Sequence, residues 1–133
     1  MKDAIKFLQD CKTFYVATTD AANIPHVRPF GIMADIGGKL CMATGSGKVV
    51  YNQIKANPNV EVCATAGDGT FLRIIGTVYA DETKAARERY FTEAPILRQI
   101  YADREDKLVT LVFDKARAVY QTMAGEITEK TLY

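Results

Sequence analysis

A chain of 133 residues has room for one domain with a real core, and 48% hydrophobic with 25% charged residues excludes a disordered or fibrous class. Seventeen basic residues are balanced by 16 acidic ones, a net charge of +1 that lacks the basic excess of a nucleic-acid or membrane-surface binder. Cys11, Cys41 and Cys63 are too few and too scattered for a disulfide framework and read as small buried hydrophobes in a reducing compartment. The opening MKDAIKFLQDCK is charged at Lys2, Asp3, Lys6 and Asp10, unlike a signal peptide, and no apolar run approaches the ~20 residues of a membrane span. The expectation is a cytoplasmic protein, one domain over residues 1–133.

Residues 3–11 place Ala4, Leu8 and Cys11 on one helical face, with Asp3 available as a cap. TFYVATT (13–19) is β-branched and aromatic, and DAAN (20–23) is turn-like. IPHVRPFGIMADI (24–36) then reads as one long strand whose Pro25 and Pro29 require an edge, a bulge or a barrel rim. Gly37-Gly38 makes a tight hairpin into KLCMAT (39–44), completing a three-stranded meander. From Ser46 the period becomes helical, with Val50, Tyr51 and Ile54 on one face for about three turns and Asn57-Pro58 as the stop. VEVCATA (60–66) and TFLRIIGTVYA (70–80) form a second hairpin around Gly67-Asp68-Gly69. Asp81 can cap a helix over ETKAARERYFTEA, and Pro95 suits the first turn of another, PILRQIYA. KLVTLVF (107–113) and RAVYQTM (117–123) are strand-like on either side of Asp114-Lys115. The fold class expected is mainly β (α+β): six or seven antiparallel strands in a barrel with peripheral helices.

The stretch ATGSGKVV (43–50) looks like a phosphate loop. It is not that of an NTPase, which needs a glycine five positions before Gly47 and a hydroxyl after Lys48; the chain has Met42 and Val49 there. A strand running into Gly, Ser, Gly and Lys at a helix start still suits an anion. If HVRPFGI and LCMAT are hairpin neighbours, Arg28 joins Ser46, Gly47 and Lys48 around one dianionic phosphate, where guanidinium, ammonium and helix amino terminus all favour negative charge.

Other candidates are weaker. His26 is the only histidine and has no carboxylate or cysteine motif beside it, so it reads as a strand residue; no zinc spacing exists, and Ser46 has no base at a suggestive spacing. Asp103, Glu105 and Asp106 read as a solvated loop. Tyr90, Phe91, Ile96, Leu97, Ile100 and Tyr101 read as helix core, with a pocket lining as the alternative.

The order and spacing of FYVATTDAANIPHVRPFG, GGKLCMATGSGKVVYNQIKANPNVEVCA and DGTFLRIIGTVYAD resemble the pyridoxamine 5'-phosphate oxidase-like, FMN-binding split-barrel family, in particular its small nitroimidazole-resistance-type members. Val27 to Gly31 and the block Thr44 to Lys48, followed by Ile54 and Asn57-Pro58, carry the resemblance most specifically. It implies a homodimer with FMN at its interface: Arg28, Pro29, Phe30 and Gly31 along the isoalloxazine and ribityl chain, and Thr44, Ser46, Gly47 and Lys48 at the phosphate. Phe71 falls where relatives place a residue beside the ring. Flavin chemistry needs no catalytic acid or base from the chain, and none is assigned. The chain departs from the family's name-giving enzymes in ending AGEITEKTLY, without their basic, histidine-containing carboxyl-terminal segment, and it has Gly47 where larger relatives often carry an arginine. The activity implied is an FMN-dependent oxidoreductase for a small or xenobiotic molecule, not pyridoxamine 5'-phosphate oxidation. The alternatives are a non-enzymatic flavin-binding or stress-related protein, or a relative using a deazaflavin or haem.

Overall fold

The computed structural model describes all 133 residues. A ten-residue helix, α1 (Lys2–Cys11), buries Ala4, Ile5 and Leu8 in the main core; its amino terminus is at Met1 with no side-chain cap, so Asp3 does not serve as one. Eight strands follow: β1 (Phe14–Thr19), β2 (Pro25–Phe30), β3 (Ala34–Ile36), β4 (Lys39–Gly45), β5 (Asn59–Thr65), β6 (Phe71–Asp81), β7 (Leu108–Gln121) and β8 (Ile127–Thr131). Three further helices interrupt them: α2 (Val49–Ala56), α3 (Lys84–Glu93) and α4 (Ile96–Ile100). All strand pairs are antiparallel, in the order β2-β1-β5-β6-β7-β4-β3, with β8 on the remaining half of β7. No helix is long and apolar enough to cross a membrane.

The expected strand over 24–36 is two strands at opposite ends of the sheet. β2 pairs with β1 and β3 with β4, so β2 and β4 are not hairpin neighbours. Only residues 31–33 join the two outer strands, which curls the sheet into a split barrel. β2 is an edge strand, and that is why Pro25 and Pro29, lacking N–H groups, are tolerated in it. The Gly37-Gly38 turn has φ of +63° and +83°, the pair of positive values that a two-residue hairpin demands.

The two strand-like stretches near the carboxyl terminus are one strand of 14 residues. The register with β6 slips at Asp114, where Thr77 faces Lys115 and Val78 faces Phe113: Asp114 is the extra residue of a bulge. That bend lets β7 pair first with β4 and then with β8. Its first half is buried on both faces, Val109, Leu111 and Phe113 toward the main core and Leu108 and Val112 toward α3, which explains the unbroken apolar run. β8 brings the strand count to eight.

Capping also differs from expectation at α3. Thr83, not Asp81, is the cap, its hydroxyl accepting from the Ala86 amide; Asp81 accepts from the Thr83 amide and hydroxyl instead. α3 lays Tyr90, Phe91 and Ala94 over Ala34, Cys41, Leu108 and Val112 as a second core outside the barrel, each large apolar side chain contributing about 1.5–3 kcal/mol by burial. Of the cysteines only Cys41 is fully buried; Cys11 and Cys63 are half-buried.

Candidate functional site

Side-chain direction on β1 and β2 follows from register. Val16 faces Arg28 and Phe14 faces Phe30, so Arg28 and Phe30 share the inward side, while Pro29, opposite Tyr15, points out. Arg28 Nη1 donates to Thr18 Oγ1 at 2.7 Å and to the Val16 carbonyl at 3.2 Å; Nη2 donates to Gln53 Oε1 at 2.8 Å. Thr18 Oγ1 in turn donates to the same Gln53 oxygen at 2.6 Å. These partners are neutral and hold the guanidinium fixed without cancelling its charge. Burial is the one influence on Arg28 and pulls its pKa down, yet arginine stays charged at any ordinary pH.

α2 is shorter than expected, eight residues from Val49, with Lys48 at its N-cap position. Its buried face is Val50, Gln53 and Ile54, with Tyr51 only half-buried, and Ser46 precedes the helix without capping it. Two amides of the glycine-rich loop are already used: Ser46 N donates to the Lys107 carbonyl at 2.8 Å and Lys48 N to the Gly45 carbonyl at 2.9 Å. The amides left for a ligand are that of Gly47 and those of the first helical turn, Val49 and Val50, which a helix cannot pair internally.

Arg28 and Lys48 come together at one cavity of about 440 Å³, within the usual size of small-molecule sites. Pro29, Phe30, Gly31 and Ile32 form one wall, Ala43, Thr44, Gly45, Lys48 and Val50 the other; Tyr90, Leu97, Ile100, Tyr101 and Leu108 close it. The two walls come from opposite ends of the sheet and meet because the barrel curls. Leu97, Ile100 and Tyr101 therefore line a cavity, Leu97 and Tyr101 also packing against the second core, and Ile96 is exposed. Tyr90 donates to the Ile32 carbonyl at 3.0 Å, and burial pushes its phenol up, keeping it protonated. None of the ion pairs of the chain involves Arg28 or Lys48.

Of the nine residues singled out in the sequence, Arg28, Pro29, Phe30, Gly31, Thr44 and Lys48 line this cavity. Gly47 lines a neighbouring one, Ser46 lines neither, and Phe71, opening β6 opposite Thr65 and Gln121, lies away from both. Thr18 and Gln53 were missed. A threonine inside a β-branched strand and a glutamine on a helix face carry no local signal; only the fold brings them to Arg28. His26 contacts Asp20, Nε2 to Oδ2 at 2.9 Å, outside the cavity.

Two unneutralised cations beside a mostly apolar lining suit a molecule with an anionic group and an apolar body. A Cβ added at Gly31 would meet nothing within 4 Å, and φ is not positive there, so neither packing nor backbone requires glycine at this position of the cavity wall.

Structures of similar shape are known. A NimC/NimA-family protein of Clostridium acetobutylicum is 30% identical with a TM-score of 0.89, over 98% of this chain and 91% of that one. A second protein of that organism, related to general stress protein 26 of the pyridoxinephosphate oxidase family, is 13% identical with a TM-score of 0.75, over 99% and 96%. A pyridoxamine 5'-phosphate oxidase-related, FMN-binding protein of Nostoc punctiforme is 14% identical with a TM-score of 0.68, over 98% and 95%. At 13–14% identity the last two speak for the fold alone. No curated protein matches the sequence. Residues 1–124 match the sequence model described as pyridoxamine 5'-phosphate oxidase, and with the 30%-identical structure this makes the chain a member of the pyridoxamine 5'-phosphate oxidase-like split-barrel family.

Proposed function

We propose that the chain binds FMN in the 440 Å³ cavity and works as a homodimeric, FMN-dependent oxidoreductase on a small or xenobiotic molecule. The observation that carries the reading is Arg28, a half-buried cation with only neutral partners, facing Lys48 across an otherwise mostly apolar cavity. Lys48, Arg28 and the first amides of α2 hold the phosphate, with Ser46 and Gly47 shaping the loop. Pro29, Phe30, Gly31 and Thr44 lie along the ribityl chain and ring. Phe71, remote from the cavity of its own chain, reaches a ring only across the dimer.

Bound flavin supplies the redox chemistry. The chain positions it, excludes water with Leu97, Ile100 and Tyr101, and offers Tyr90 as a neutral wall. The FMN-binding relative from Nostoc supports the choice of cofactor. The last strand, β8, is exposed at every position and lines neither cavity.

The test compares two ligands. Hydrogen bonds to a charged group contribute roughly 1.5–3 kcal/mol, so Lys48→Ala weakens FMN by about ten- to a hundred-fold and riboflavin, which has no phosphate, hardly at all. Equal losses for both ligands in a folded variant, or no loss for either, would sink the phosphate assignment.

A further inference from the structure

A second cavity, of about 430 Å³, adjoins the first and shares Gly45, Lys48, Ile100 and Tyr101 with it. Its other lining residues are Gly47, Arg104 and Lys107, so the wall carries three cations and no carboxylate. Lys48 and Arg104 are in no ion pair, and Lys107 has only Asp106, at 3.9 Å. Backbone bonds brace the segment: Arg104 N donates to the Tyr101 carbonyl at 2.8 Å, Lys107 N to the Arg104 carbonyl at 3.0 Å, and Ser46 N to the Lys107 carbonyl at 2.8 Å. The Arg104 guanidinium lies 5.7 Å from the centre of the Tyr101 ring. The cations are thus carried on a short structured link tied to the glycine-rich loop. Like charges gathered without counter-charge repel, and an anion among them removes that cost.

One phosphate does not account for this many cations. Arg28 lines only the first cavity; Arg104 and Lys107 line only the second, with Lys48 between them. We propose that the second cavity is an anion subsite for the second ligand of the site, an organic diphosphate held by Arg104 and Lys107, with Lys48 shared between the two cavities. Its uncharged part then reaches the first cavity past Ile100 and Tyr101. The description of the neighbour as a flavin site rests on the function proposed above; the anion subsite itself does not.

Adenosine 5'-diphosphate is the probe, titrated calorimetrically into FMN-loaded and cofactor-free protein at low and high salt. Arg104→Gln with Lys107→Gln, two exposed positions, is the variant. The expected result is binding that weakens with salt, is absent for adenosine, and falls about ten- to a hundred-fold in the double variant, while FMN affinity is unchanged. ADP affinity that is undetectable at millimolar concentration, or the same in the variant, overturns the proposal. So does a variant that loses FMN but not riboflavin, because the cations then serve the flavin phosphate. If FMN fails to bind while the double variant still loses ADP, the flavin reading falls and the anion subsite stands.

Discussion

Arg28 and Gln53 meet between an edge strand and a helix, Nη2 of one donating to Oε1 of the other at 2.8 Å. Thr18 shares that oxygen at 2.6 Å, so three side chains from β1, β2 and α2 form one network with no carboxylate in it. The guanidinium is aimed without being neutralised.

Gln53→Glu keeps the shape and adds a carboxylate. It pairs with Arg28 and removes the charge that a phosphate needs, so FMN affinity falls at least about tenfold while riboflavin affinity changes little. Parallel titrations of both flavins against variant and parent decide it; unchanged FMN affinity would show that Arg28 does not serve the phosphate.

Gly76 has no room for a side chain. A Cβ there would lie 2.0 Å from the Lys115 carbonyl oxygen and 3.1 Å from a Phe113 ring carbon, at the bulge where β6 crosses β7. Because backbone must move, Gly76→Ala costs about 1–3 kcal/mol or more, lowering the melting temperature by roughly 5–10 °C. An unaltered melting curve would mean that the bulge yields freely.

Alkali weakens the fold through Cys41 and Tyr133. Burial, then the charges of Asp35 and Asp81, push the Cys41 thiol from 9.0 up to about 12, and burial pushes the Tyr133 phenol from 10.0 up to about 12 although it accepts from the Leu40 amide. Between pH 9 and 12 the unfolded chain sheds protons that the native state keeps, so stability falls as pH rises in that window and these groups leave it flat below. Denaturant melts at pH 8, 9.5 and 11 should show a shallower decline in Cys41→Ala than in the parent. Parallel declines would acquit the thiol.

The outward side of β1 and β2 exposes Tyr15 at 51% and Val27 at 67%, beside Pro29 and next to the first cavity. If this apolar face is the dimer contact, the parent sediments as a dimer at low micromolar concentration and Val27→Asp as a monomer with weakened FMN binding. A parent that is monomeric yet binds FMN tightly refutes the interface.

Much of this was legible in the chain because the signals were local. Gly37-Gly38, the turn around Gly69, the Asn57-Pro58 stop and the glycine-lysine block at the end of β4 are short-range chemistry, and the structure has each feature where its residues stand. What escaped depended on distant partners. Ile127–Thr131 is exposed at every position and shows no alternation, so only its pairing with β7 makes it a strand. The break at residues 31–33 is hidden because Ile32 and Met33 are apolar like a strand, although Met33 enters the main core. Arg28 was a visible candidate from its neighbours, but its hold on Gln53 spans 25 residues and a helix.

The three-residue link between β2 and β3 has a thermodynamic consequence. The walls of the first cavity come from β2, at one edge of the sheet, and β4, next to the other edge, so the cavity exists only while the barrel is curled shut. Any molecule spanning from Arg28 to Lys48 clasps the seam, and its binding free energy adds to the free energy of closure. A hundredfold excess over the dissociation constant adds about 2.7 kcal/mol, enough that melting temperature alone can rank ligands without any assay of turnover.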